Sequence, residues 1–392
     1  MARFSNGKAP FIRLSDTNKD TATIMRDFLI GMSLVILFSW FKNGILVYIN
    51  GDATFLEMLY PLVFILTGGF LSILMEAVFF YKTDPEANNL KGIVKRLKTS
   101  YAVFPGFILA LLLPLYTPIW VLMVGVFFAT IVGKMLFGGF GYNLFNPAII
   151  GRVVVMASLM GLVMSNGGFL NPSEVIIDAA AGATPLAVLA ETHQISYQVL
   201  VAPYGSLWNF FLGTIPGSLG ETSALVIIIA YLWFSFRKVI KWTTPLIYIV
   251  TVFVLTWIIG AVNGETGLWF PVYGILSGGL MYGAVFMSTE PVTTPRNPLG
   301  KVFNALFLGA LTVLFRYIGT FPEGVATAII VMNIFLMPLD KTTAVIRSSG
   351  LNKKTWGKFA LLVFILVAIM AYGVYKSIDM YSAMTFFVGG NF

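Results

Sequence analysis

Eleven apolar segments run along this chain, and basic residues gather at every second junction between them. That alternation constrains the fold more than any other feature. A helix needs about 20 mostly apolar residues to cross a bilayer. Segments 27–49, 55–80, 101–115, 117–136, 145–165, 222–237, 244–261, 268–289, 301–319, 323–340 and 357–377 meet or approach that length. The third and sixth are short: Pro105 and Pro114 interrupt or bound the third, and Gly220 heads the sixth. Only 11% of the residues are charged and 58% are hydrophobic, against about 25% charged in soluble domains. The chain reads as an all-α polytopic membrane protein with ten to eleven transmembrane helices.

The junction charges orient it. Lys8, Arg13, Lys19 and Arg26 precede the first span, and Lys91, Lys95, Arg96 and Lys98 follow the second. Lys134 ends the fourth, Arg237, Lys238 and Lys241 follow the sixth, and Arg296 and Lys301 follow the eighth. Lys341, Arg347, Lys353, Lys354 and Lys358 lie between the last two. The other junctions carry Asp52, Glu265 and Glu323, and the long loop holds Glu174, Asp178, Glu191 and Glu221 with no Lys or Arg between Arg152 and Arg237. By the positive-inside rule the N-terminus is cytoplasmic, and the C-terminus and the long loop are outside. Cations spread this way, despite a net charge of +8, argue against a nucleic-acid partner.

The expected layout is a cytoplasmic segment 1–26, a membrane domain 27–341 with outer loop 166–221, and an extra helix and tail 342–392. Within the domain a five-plus-five inverted repeat is expected. Asn-Pro recurs at 146–147 and 297–298, but at the fourth and eighth junctions, which such a repeat does not superpose; both are ordinary turn chemistry. With no cysteine and only His193, cysteine-ligated clusters and histidine-built metal or haem sites are not expected.

Four polar stretches stand out: GKMLFGGFGYNLFNPAIIGR (133–152), DAAAGATPLA (178–187), GTIPGSLGETSAL (213–225) and FMSTEPVTTPRNPLGK (286–301). Gly138, Gly139 and Gly141 lack the strand and the GxxxxGK[ST] spacing of a phosphate loop. A tight re-entry into the bilayer suits them better, with Asn143 and Asn146 supplying amide hydrogen bonds. Glu290 and Asp340 end the eighth and tenth spans, and Glu76 lies inside the second. Each is either an interfacial ion-pair partner or a point on an ion pathway, since intramembrane acids are costly. Arg152 and Arg316 are expected to snorkel or pair.

Together with RYIGTFPEGVATAIIVMN (316–333), these stretches resemble the D-type subunits of the Rnf complex, the ion-translocating ferredoxin:NAD+ oxidoreductase. The chain is similar, more distantly, to the B-type subunits of the sodium-pumping NADH:quinone reductase. The resemblance implies FMN bound by a phosphoester to Thr184, attached by a flavin transferase at a signature that Asp178, Gly182, Ala183 and Thr184 match and Ala181 departs from. It implies a second, non-covalent flavin, riboflavin, near Asn143 and Asn146, and partners corresponding to the family's A, B, C, E and G types. The setting it implies is the bacterial cytoplasmic (inner) membrane. The phosphodiester's charge would be met by backbone N–H groups after Gly182 and Gly220, and by Ser218, Thr222 and Ser223 beside Glu221. Spans alone suit a secondary transporter or a cofactor-free scaffold equally well; only the Thr184 segment separates these readings.

Overall fold

A computed structural model describes residues 20–165, 184–221, 223–318 and 324–388, with side chains to residue 378. Asp178, Gly182, Ala183 and Thr222 lie outside the described residues. Among those described there is no strand. Seven helices are long and apolar enough to span a membrane, a bent pair makes an eighth, and three shorter apolar helices complete the series. All eleven fall on the apolar segments read from the sequence.

The first span, α1 (Thr21–Ile49), starts on Asp20, whose carboxylate accepts from Thr23 N at 3.2 Å. The second, α2 (Phe55–Thr83), opens on a reciprocal capping box between Thr54 and Glu57. The junction that follows is not a plain loop. It forms a helix, α3 (Leu90–Ser100), with Leu90 and Val94 exposed among its lysines. Then come the short α4 (Val103–Leu112), α5 (Ile119–Phe137), and the short α6 (Pro147–Ser158). The long loop carries α7 (Pro185–Thr192) and leads into the short α8 (Ala224–Phe236). Next are α9 (Thr243–Val262) and the bent pair α10 (Trp269–Leu276) and α11 (Leu280–Met287), inclined at 65°. The chain continues through α12 (Pro298–Ile318), α13 (Gly324–Ser349) and α14 (Lys353–Val388).

The pairing order repeats. Helix α2 packs on α4 and α5, and α5 on α6; α9 packs on α10 and α12, and α12 on α13. Helix α1 lies against α8. Small residues permit the close contacts: a Cβ on Gly106 would sit 2.0 Å from Gly68 O, and one on Gly151 2.5 Å from Gly125 O. Both Asn-Pro pairs prove to be helix starts. Asn146 caps α6, and Asn297 Oδ1 accepts from Gly300 N at 2.7 Å.

The short α4 and the bent α10–α11 pair both end inside the apolar segments, and backbone groups freed there must be satisfied. Helix α4 stops before Pro114, which cannot continue it. The carbonyls of Leu111 and Leu113 accept instead from Gly220 N (2.7 Å) and Leu219 N (3.2 Å), reached from the long loop. Between α10 and α11, Arg316 of α12 donates to Gly274 O (2.6 Å) and Ser277 O (3.2 Å). The extra helix α14 packs mainly on α12 and buries only 11% of its spanning window.

Candidate functional site

Two polar constellations lie at opposite ends of the spans. At the basic end, a cavity with about 750 Å³ of empty space opens between α1, α4 and the chain around residues 134–148 and 286–292. Sites for small organic ligands are mostly apolar, with a few polar groups that fix orientation. One side is aromatic: the Phe28 ring lies 5.6 Å from Phe104 and 5.7 Å from Phe286, and all three line the space. Lys134, Asn143, Asn146 and Glu290 supply polar groups to the same lining. A flat heterocycle with a hydrogen-bonding edge suits that lining.

The glycine-rich stretch builds the polar part of the lining. Gly138, Gly139 and Gly141 take φ values of 112°, 89° and 92°, which side chains rarely adopt. The turn swings Phe140 over Lys134 Nζ, 5.9 Å from the ring centroid, and delivers Asn143 and Asn146. Asn143 Nδ2 donates to Glu290 Oε1 at 2.8 Å and to Phe145 O at 3.0 Å. Asn146 Oδ1 accepts from Ala148 N (3.1 Å) and Ile149 N (3.4 Å), so it is also the cap of α6.

The three expected pathway acids separate. Glu76 is fully buried and paired with Lys134 at 2.5 Å; it also accepts a short bond from Ser100 Oγ. Lys134 donates further to Ser100 O at 2.7 Å. Glu290 takes Asn143 and Thr293, not Arg296. Asp340 Oδ1 accepts from Arg296 N (3.0 Å), Asn297 N (3.2 Å) and Asn297 Nδ2 (2.6 Å), which makes it a clasp for the turn before α12. Lys134 therefore stands beside both Glu76 and Glu290, whereas Asp340 joins neither. No acid lies close to Lys134 in sequence, so nothing local announces its partner.

Glu290 lies in the turn beyond α11, and burial pushes its carboxyl up to about 7, against the hydrogen bonds from Thr293 and Asn143 and the nearby Lys134 charge. A raised acid favours the folded state while protonated. That stabilisation is full below the ordinary value of 4.5 and is lost as pH rises through about 7. The thermal midpoint of the detergent-solubilised protein is expected to fall over that window and level off above it. Glu290→Gln should flatten the profile. An equal slope in both proteins would show that Glu290 does not titrate there.

At the other end, Thr184 caps α7: its Oγ1 accepts from Ala187 N at 3.2 Å. The helix is pinned over the α10–α11 break, because Tyr273 Oη donates to Pro185 O at 2.5 Å. Leu186 lies against Gly278, where a Cβ would meet Leu186 Cδ2 at 3.2 Å. Neither contact is legible in the sequence, since Tyr273 sits 88 positions from Pro185.

The segment around Gly220 is tied down by backbone bonds. The N–H groups of Leu219 and Gly220 are occupied by α4 carbonyls, and Glu221 N donates to Ser218 O at 3.2 Å. None of these three is open to hold an anion. Ser223 caps α8 through Val226 N, while the buried Ser218 hydroxyl has no partner. Glu221 is drawn to Arg152 of α6 by a two-pronged ion pair, 2.6 and 3.2 Å, with both side chains under 10% exposed. Arg152 thus pairs rather than snorkels. His193 ends α7 in the left-handed region, φ 51°.

Residues 6–347 match the NQR2, RnfD, RnfE family, a match that ends before α14. Three relatives are D-type subunits of ion-translocating complexes. The chain is 38% identical over 245 residues to that of the proton-translocating ferredoxin:NAD(+) oxidoreductase complex of Clostridium ljungdahlii, covering 62% of this chain and 72% of the relative. It is 33% identical over 283 residues to that of the ion-translocating oxidoreductase complex of Stutzerimonas stutzeri, covering 67% and 78%. The third, from the Na(+)-translocating ferredoxin:NAD(+) oxidoreductase complex of Acetobacterium woodii, is 32% identical over 242 residues, covering 62% and 70%. With the helical membrane fold, both broken helices and most of its length inside the match, the chain belongs to the NQR2, RnfD, RnfE family.

Proposed function

We propose that this chain is the D-type membrane component of an ion-translocating ferredoxin:NAD+ oxidoreductase, and that it holds two flavins on opposite ends of its spans. One is FMN joined through its phosphate to Thr184; the other is riboflavin in the cavity of Asn143 and Asn146. The flavins supply the one- and two-electron chemistry when bound, and the protein positions them and tunes their environment. In attachment, Thr184 Oγ bonds to phosphorus as the phosphoanhydride of a dinucleotide donor breaks. The nucleoside monophosphate leaves with the hydroxyl proton, and the net addition is FMN less water. A flavin transferase performs that step, and partners of types A, B, C, E and G complete the complex in a bacterial cytoplasmic membrane, with the N-terminus inside. The relatives' names include both a proton and a sodium translocator, so the coupling ion, H+ or Na+, is not carried over.

The observation that supports this reading best is the basic-end cavity, which brings Asn143 and Asn146 to one aromatic-walled space. A cofactor-free scaffold has no need of it. Intact mass of the protein co-produced with a flavin transferase is the deciding measurement. The expected value is the chain plus FMN less water, with flavin fluorescence persisting in the denatured band under ultraviolet light. A chain with neither would end the redox reading.

The cavity has its own test. Asn146→Leu should strip the non-covalent riboflavin and leave Thr184-linked FMN in place, because a buried polar group left unpaired costs about 1–3 kcal/mol. Since Asn146 also caps α6, Asn146→Asp is the companion: it keeps the capping oxygen and removes the amide donor. Unchanged extractable riboflavin in both variants would remove Asn146 from the site.

A further inference from the structure

Among the buried cations, Lys134 pairs with Glu76, Arg152 with Glu221, and Lys42 donates to Ile215 O of the long loop. Arg316 differs. It is 8% exposed, and no described acid pairs with it. Its Nη1 and Nη2 serve the carbonyls of Gly274 and Ser277, and its Nε is buried without any partner. A guanidinium keeps its charge at any accessible pH, and an uncompensated buried charge is strongly unfavourable. Among the described residues only carbonyl dipoles meet that charge, and they leave it unneutralised.

Its location is specific. A Cβ on Gly278 would lie 3.9 Å from Arg316 Nη2 and 3.2 Å from Leu186 Cδ2, so the guanidinium and Leu186 flank one glycine. Thr184 is two residues before Leu186, at most about 7.6 Å between Cα atoms, and Tyr273 clamps the intervening Pro185. The N–H groups of Leu219 and Gly220 themselves are already used by α4. The end of the molecule that lacked a basic residue in its own loop has one delivered by α12 instead.

We infer that Arg316 is the counter-charge of the flavin phosphodiester at Thr184, with Nε as its open donor. This rests on the proposed attachment of FMN to Thr184. Arg316 is a positioning residue that holds the linkage against the α10–α11 break, and it ties the flavin to the one helix bend that it also caps. Arginine suits the role because its planar fork serves carbonyls on one edge and a phosphate oxygen on another.

The test compares wild type, Arg316→Gln and Arg316→Lys, each produced with and without flavin transferase. FMN content is read by intact mass and stability by thermal midpoint in detergent. FMN attachment should raise the wild-type midpoint by roughly 3–6 °C. The rise should vanish in Arg316→Gln and shrink in Arg316→Lys, which folds with its charge retained if the glutamine variant does not. Equal rises in all three proteins would overturn the inference while leaving the attachment standing. A wild type that never gains FMN mass would remove attachment and inference together. Inorganic phosphate added to flavin-free wild type is the control for a free anion; a rise equal to that from attachment would overturn a dedicated role for the linked phosphate. Glu323→Gln covers the acid at position 323, which lies outside the described residues. If that variant, and not Arg316→Gln, abolished the rise, the inference would also fall.

Discussion

Thr184→Val protein, made with a flavin transferase, is expected to carry no covalent flavin and to support no electron transfer through the complex. Valine keeps the shape of threonine and deletes the nucleophile. The same oxygen caps α7, so a loss of stability of about 1 kcal/mol accompanies the change and has to be separated from the loss of chemistry. The cap and the nucleophile are compatible: the oxygen accepts from Ala187 N, which leaves its own proton available for departure. Thr184→Asn separates them, because asparagine is among the best N-caps and cannot form the phosphoester. It should restore the stability of α7 while remaining flavin-free, and Thr184→Ser should regain at least part of the flavin. Covalent flavin on the asparagine variant would place the attachment elsewhere.

The second large effect is expected at Glu221. Removing one member of a buried ion pair strands the other and costs about 3–5 kcal/mol, and the Arg152–Glu221 pair is two-pronged and nearly inaccessible. Glu221→Ala should lower stability by that amount, and Arg152→Leu by a similar one. The double variant Arg152→Leu/Glu221→Leu should recover most of the loss, since neither charge is then left alone. Gly279→Ala approaches the same pair from outside: a Cβ there would lie 2.2 Å from Glu221 Oε1, so the carboxylate must shift. Denaturant unfolding in detergent measures all four. A loss below about 0.5 kcal/mol for Glu221→Ala would show that the pair is not what fixes the start of α8.

The spans are legible in the sequence because each depends on local composition. All eleven apolar segments are helices, including the three short ones, whose limits follow from Pro114, Asn146-Pro147 and Ser223. Helix α3 is hidden among residues that read as junction charge, although Leu90, Val94 and Leu97 recur at helical spacing. The cap at Thr184 is legible for the same local reason. What cannot be read is every link spanning long stretches of chain: Glu76 to Lys134, Arg152 to Glu221, Tyr273 to Pro185, Gly220 to Leu111. Opposite charges are visible in a sequence, but their pairing is decided by packing. The use of Gly220 N by the end of α4 is not legible either, because the end of a helix shows only as a proline, not as the two carbonyls it leaves to be satisfied.

Those stranded carbonyls set an order on the birth of the protein. Leu111 and Leu113 leave the ribosome roughly a hundred residues before Leu219 and Gly220, which satisfy them. At about 5–20 residues per second, the interval lasts roughly 5–20 s. Through it, α4 sits beside the nascent spans with an unfinished end, and water or the insertion machinery must solvate that end. The first five spans are therefore a provisional assembly, completed only when the end of the long loop reaches back to α4.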